Sequence, residues 1–228
     1  MRVVFFTGAG MSAESGVPTY RGAGGIWREY EPERYACQAA FERDPAAVWA
    51  FHNYRRALVA ACAPHDGHRV LVAAEAQLEH VTIVTQNIDG MHQLAGSERV
   101  FELHGSLWRV RCERCGARHE GRESPLEPTA CPSCGAPWRP AIVWFGDMLD
   151  GDTIERAAAA IRACDCLVSI GTSAAVYPAA QLPQLAAGAE LIEINPEPTP
   201  MSPLYGEHLR GPASVMLVRL AQRWGLTL

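Results

Sequence analysis

Short apolar, β-rich runs recur along the chain at 3–6, 81–85, 100–103, 166–170 and 190–194, and several stop at glycine or a polar cluster. Runs this short suit strands buried on both faces better than helices. Stretches with helical spacing separate some of them. One spans 152–164, where Asp152-Thr153-Ile154-Glu155-Arg156 leads into alanines. Another runs from Pro212 to Trp224, with proline near its first turn. Strands alternating with helices predict an α/β fold with a parallel sheet covered on both faces.

Two segments break the pattern. Residues 28–68 read as helical without a buried strand, and residues 107–140 carry two cysteine pairs and prolines 125, 128, 132, 137 and 140, too many for a sheet interior. Both are expected to be insertions that together form a smaller domain, leaving 1–27, 69–106 and 141–228 as the large one. A ligand cleft is then expected between them, over the C-terminal ends of the strands. Gly8, Gln86, His104, Gly171 and Asn195 all fall at or just after strand ends.

With 228 residues, 48% hydrophobic and 20% charged, the chain can form a large core and a small appendage. A net charge of −5 argues against nucleic acid as a partner. No apolar run approaches the roughly 18 residues of a membrane span. The first strand follows Met1 so closely that no targeting segment is expected, which favours a cytoplasmic, reducing setting. All 20 Lys/Arg positions are arginine.

Gly8-Ala9-Gly10-Met11-Ser12-Ala13 fits the G-x-G-x-x-G/A turn from a strand into a helix, the feature that lets backbone approach a pyrophosphate in Rossmann-like domains. Glu14 to Gly22 continue as a polar loop suited to folding over a cofactor. Cys112-x-x-Cys115 and Cys131-x-x-Cys134, fifteen residues apart, match a four-thiolate zinc ribbon. Such a closed shell leaves no position for substrate, so the expected zinc is structural. Cys37, Cys62, Cys164 and Cys166 lack ligand spacing and read as small buried residues.

Together with GAGMSAESGVPTYRG, the segments TQNIDGMHQLAG, ELHGS, IVWFGDML, IGTSAAVYPAA and IEINPE give a chain that resembles the sirtuins, NAD-dependent protein-lysine deacylases, over nearly its whole length. The resemblance implies NAD as co-substrate, acyl-lysine proteins or peptides as substrates, and nicotinamide and O-acyl-ADP-ribose as products. It implies that His104 is the general base, deprotonating a ribose hydroxyl, with Asn87 also catalytic. The nicotinamide-ribose pocket would be lined by Gln86, Asn87, Ile88 and Asp89. Gly8, Ala9, Gly10, Ser12, Ala13, Glu14, Tyr20 and Arg21 would contact the cofactor, as would Gly171, Thr172, Ser173, Asn195, Glu197 and Ala213. Tyr20 stands where the family usually has phenylalanine. Val143, Trp144, Phe145 and Gly146 resemble the segment that pairs with substrate backbone. An NAD hydrolase or mono-ADP-ribosyltransferase using the same pocket, and a non-catalytic NAD-binding adaptor, are the alternatives.

Acyl choice is addressed by Phe51-His52-Asn53-Tyr54-Arg55-Arg56. Sirtuins that remove succinyl, malonyl and glutaryl groups have Tyr-x-x-Arg here. In this chain the arginine is kept and the tyrosine is His52, a helix neighbour of Arg55. Ala23-Gly24-Gly25 resembles the loop that leaves room for a long acyl chain. Succinyl or malonyl acceptance is therefore expected, with His52 becoming cationic just below neutral pH and strengthening that preference.

Overall fold

The computed structural model of the chain describes residues 1–19, 25 and 31–228. In chain order its strands are β1 (Arg2–Thr7), β2 (His80–Thr85), β3 (Val100–Glu102), β4 (Gly105–Arg111), β5 (Arg118–Glu120), β6 (Arg139–Ile142), β7 (Cys166–Ile170), β8 (Glu190–Ile194) and β9 (Glu207–Leu209). The helices are α1 (Gly10–Ala13), α2 (Pro32–Tyr35), α3 (Gln38–Arg43), α4 (Pro45–Ala60), α5 (Asp66–Gln77), α6 (Met91–Ala95), α7 (Gly151–Arg162) and α8 (Ala213–Arg223).

Among the described residues, six strands form one parallel sheet in the order β3-β2-β1-β7-β8-β9. The order reverses at β1, so a crevice opens beyond the C-terminal ends of β1 and β7. Alternation along β1 explains why both faces are covered. Val3 and Phe5 join Leu71 of α5 and Leu217 and Leu220 of α8 in one core. Val4 and Phe6 join Ala157, Ala158 and Ile161 of α7 in another. The last strand, β9, carries no apolar run and was not foreseen; it gains its place by pairing with β8.

A second sheet, β5-β4-β6, is antiparallel and shares one core with α3 and α4. Phe41, Val48, Trp49 and Val59 from the helices meet Leu107, Trp108, Trp138 and Trp144, and Cys112 and Cys131 belong to the same cluster. Pro140 lies in β6, an edge strand, where a missing N–H is tolerated. Arg56 is 1% exposed and joins α4 to β4 and the loop after β5, donating to the carbonyls of Leu107 (2.6 Å), Gly121 (2.7 Å) and Glu123 (2.6 Å). A buried guanidinium is tolerable only when its fork of donors is occupied in this way.

Two expectations need correction. The helix expected after the glycine-rich turn is a single turn, Gly10–Ala13, so the macrodipole of a long helix is not available there. Cys37 and Cys62 are half-buried, unlike the buried Cys164 and Cys166. No helix among the described residues is long and apolar enough to cross a membrane.

Candidate active site

The loops after β1 and β7 meet backbone to backbone. Gly8 N–H donates to the Ile170 carbonyl at 2.9 Å, and Gly10 N–H to the Gly171 carbonyl at 2.8 Å. A Cβ on Gly8 would lie 2.7 Å from the Thr172 Cα, and one on Gly10 2.7 Å from the Gly171 Cα. Gly171 itself has φ +59° and meets Gly10 and the Met11 nitrogen. Side chains are excluded here because the two loops have no space for them. A cavity of about 590 Å³ opens above this junction, between the two sheets. Gly8, Ala9, Gly10, Gln86, Asn87, Ile88, His104, Gly171, Thr172, Ser173 and Asn195 line it from the large-sheet side.

His104 follows β3, and its Nδ1 lies 2.8 Å from the Gln86 carbonyl. A carbonyl only accepts, so Nδ1 carries the proton and the lone pair is on Nε2. Burial lowers the pKa of His104, which favours the neutral ring. The next residue, Gly105, has φ +76°, and a Cβ there would collide with the Ala141 carbonyl oxygen. That close approach lets β4 start at once and holds His104 at the cavity wall. Gln86 donates to the Thr172 hydroxyl at 3.1 Å, and Asn195 to the Thr172 carbonyl at 2.8 Å. The Asn87 amide donates to the Gly8 carbonyl at 3.0 Å.

Several expected cofactor residues lie outside the cavity wall. Asp89 is buried behind it, accepting from Met91 N–H at 2.8 Å as a turn cap, and burial pushes its pKa up. Ser12 is buried beside Asn87. Ala13 is exposed on α1. The Glu14 carboxylate accepts from the Ser214 hydroxyl (2.6 Å) and N–H (2.9 Å), capping the N-terminus of α8. Ala213, the first residue of α8, packs into the core. Glu197 is exposed on the loop after β8. Tyr20, Arg21, Ala23 and Gly24 lie outside the described residues.

The side of the cavity nearer the small sheet is lined by His52 and Arg55 from α4, by Ile142 at the end of β6 and by Val143–Gly146 after it. His52 is 1% exposed and Arg55 6%; Tyr54, two positions along, is 44% exposed on the outer face. The His52 ring stacks on Trp144 at 5.9 Å between centroids. Neither of its nitrogens has a normally aligned hydrogen-bond partner among the described residues, although the Tyr35 backbone interacts with the ring. Burial, and secondarily the Arg55 charge, push the pKa of His52 down to about 3. This overturns the expectation of a cationic His52 near neutral pH in the open pocket: desolvation and a neighbouring cation both oppose the charge.

Residues Val143–Gly146 are not an extended strand. Val143 N–H donates to the His104 carbonyl (2.9 Å) and Phe145 N–H to the Ala36 carbonyl (3.0 Å). Trp144 N–H donates to the Asp147 carboxylate at 3.0 Å. Asp147, which sequence reasoning did not single out, also accepts from Arg139 at 2.6 Å and so fixes this turn. Glu193 was likewise missed. Only 2% exposed, it accepts from Ser202 (2.6 Å) and pairs with Arg210 (2.7 Å), holding the loop that begins at Asn195. Nothing in the local pattern marks either carboxylate, because their partners are distant in sequence or defined by the fold.

The Cys112, Cys115, Cys131 and Cys134 sulfurs all lie within 4.8 Å of one another. Tetrahedral zinc with bonds of about 2.3 Å needs sulfurs roughly 3.8 Å apart. The Cys112–Cys134 and Cys115–Cys131 separations of 3.4 and 3.6 Å fit a modest expansion around an ion. The four thiols therefore form a zinc-capable cluster, and none of them lines the cavity.

A six-stranded parallel sheet with a crevice at its switch point, a histidine at its rim and a four-thiol unit beside it define a dinucleotide-using α/β enzyme with a zinc-capable appendage. Comparison with known proteins makes this specific. Residues 8–178 match the model of the Sir2 family. The NAD-dependent protein deacylase of Aquifex aeolicus is 42% identical over 224 residues, covering 96% of this chain and 94% of that protein. The NAD-dependent protein deacylase of Aeropyrum pernix is 45% identical over 226 residues, covering 98% and 92%. A Sir2 homologue solved as an NAD complex superposes with a TM-score of 0.90 at 41% identity, covering 98% of this chain and 90% of that one. A Sir2–p53 peptide–NAD⁺ complex superposes at 0.85 with 27% identity, covering 98% and 93%. The chain belongs to the Sir2 family of NAD-dependent protein deacylases.

Proposed function

We propose that this deacylase acts on acyl-lysine side chains of proteins or peptides, that His104 is its general base, and that it accepts succinyl- and malonyl-lysine as well as acetyl-lysine. The observation that carries the catalytic assignment is the His104 Nδ1–Gln86 carbonyl bond of 2.8 Å, which fixes the tautomer and leaves Nε2 as the basic nitrogen of a residue in the cavity wall. In this reading NAD, the co-substrate, supplies the ribose that receives the acyl group. Gly8, Gly10, Gly171 and Thr172 border its nucleotide portion, and Gln86, Asn87 and Ile88 its reacting end. His104 Nε2 takes the proton of a ribose hydroxyl.

Acyl choice rests on Arg55. Arg55 is buried in the cavity wall, and its fork of donors suits a terminal carboxylate. Neutral His52 can add one N–H. Substrate backbone would meet Val143–Gly146 through carbonyls, since the N–H groups of residues 143–145 are already engaged. The four thiols hold one structural zinc, consistent with a reducing, cytoplasmic setting.

Acetyl, butyryl, malonyl, succinyl and glutaryl peptides assayed with NAD test both parts. Nicotinamide release should depend on acyl-peptide, and His104→Ala should lower deacylation by about 10²- to 10⁴-fold while the protein stays folded. Peptide-independent nicotinamide release would favour NAD hydrolysis instead.

A further inference from the structure

Beneath the proposed reacting end of the cavity runs a buried polar chain that reaches the cavity wall only through Asn87. Thr7 and Thr85 are paired residues at the ends of β1 and β2, and the Thr7 hydroxyl donates to the Thr85 oxygen at 2.8 Å. The Thr85 oxygen also accepts the Asn87 N–H at 3.0 Å. Having given its proton to Thr85, the Thr7 oxygen must accept from His92 Nε2, 2.9 Å away. His92 therefore carries its proton on Nε2 and presents a lone pair at Nδ1.

Behind it, His68 on α5 accepts at Nδ1 from the His65 N–H at 3.4 Å, so its proton is on Nε2. The His68 and His92 rings lie 5.2 Å apart between centroids. His68 Nε2 and His92 Nδ1 have no hydrogen-bond partner among the described residues, so the two rings meet by packing alone. The polarity from His92 through Thr7 and Thr85 to Asn87 is thus self-consistent when His92 is neutral, as is His68 beside it. Burial ensures that they are, pushing His68 to about 2 and His92 to about 3.

We propose that His92, packed against His68, is a positioning residue for the reaction: through Thr7 and Thr85 it sets the Asn87 backbone, and hence the reacting end of the NAD site. A buried chain without an ionised member is suited to this task, because it specifies one geometry without placing a charge beside the reacting ribose. The inference rests on the placement of Asn87 at that end of the cavity.

The test uses the zinc-loaded full chain. His92→Phe keeps a ring and removes both nitrogens, whereas His92→Gln returns an N–H near the position of Nε2. We expect His92→Phe to raise the KM for NAD about tenfold, the scale of one unsatisfied buried group, with the KM for acyl-peptide little changed. His92→Gln should recover most of the loss. Thr85→Val, which is isosteric, should reproduce the His92→Phe effect, and carries the test alone if His92→Phe does not fold. Combining the two should add little, since both cut one chain. Normal NAD kinetics in folded His92→Phe or in Thr85→Val, equal impairment by Phe and Gln, or additive losses overturn the proposal. Asn87→Ala is measured in parallel. If it leaves NAD turnover intact, the assignment of Asn87 to the reacting end fails, and the inference with it, whatever His92 does.

Discussion

On the large-sheet side of the cavity, Gly8, Gly10 and Gly171 press two backbone loops together; on the other, α4 delivers Arg55, and His52 against Trp144. The first side is made of peptide groups fixed by strand ends, which cannot titrate and leave no room for substitution. The second depends on side-chain charge inside the core that also holds the cysteine knuckles. Adjacent residues of α4 show how finely this is divided. Arg55 lines the cavity, while Arg56, about 100° further around the helix, is consumed by three carbonyls of β4 and the loop after β5. In the proposed assignment nucleotide recognition is separated from acyl selection: one would be set by backbone geometry, the other by how a small unit folds around the buried Arg55, Arg56 and Arg139.

The most severe way to break the comparison is to remove zinc. Cys112 and Cys131 belong to the core that positions Trp144, so a chelator strong enough to strip the metal should abolish acyl-peptide turnover. NAD should still bind, because the glycine junction lies in the other sheet. Simultaneous loss of NAD binding, followed by titration calorimetry, would show that the two sides are not independent.

Arg55→Met sharpens the acyl side alone. Leaving a bound carboxylate without its cation should cost about 2–4 kcal/mol in kcat/KM with succinyl-peptide and little with acetyl-peptide. Equal losses on both would make Arg55 structural. Gly171→Val attacks the other side. The new side chain meets the Met11 nitrogen and Gly10 at a φ of +59°, so stability should fall by about 1–3 kcal/mol and NAD affinity with it. Chemical denaturation and NAD titration read the two effects.

The smallest effect concerns pH. With its pKa pushed down to about 3, His52 is neutral throughout the working range. The succinyl-to-acetyl ratio of kcat/KM should therefore be flat from about pH 8 to 6.5, against the sequence-based expectation. A ratio that rises as pH falls would mean that a bound carboxylate restores the charge. The same shift has a stability consequence. Below about pH 6.5 the unfolded chain binds protons that folded His52, His68 and His92 refuse. Their contribution to stability is complete above that pH and is lost as pH falls towards their lowered values of about 3, 2 and 3. The melting temperature should drop across this acid window, and less steeply in His52→Phe.

The chain's own pattern determined the parallel sheet, its β1 turn, the four-thiol unit and the position of His104, because each depends on neighbours close in sequence: alternation within a strand, glycines within a turn, cysteines within a knuckle. It determined α4 too, and that His52 and Arg55 share one face of it, since helical periodicity fixes both. Only the tertiary structure decided which candidates face the cavity. Glu14 caps α8 two hundred residues away, Asp89 closes a turn behind the wall, and Val143–Gly146 turns back on Asp147 instead of remaining extended. It alone decided the ionisation of His52, because a pKa is set by the water a group loses and the charges that surround it. Burial of that kind belongs to the packing of Trp144 against α4, which no local spacing encodes.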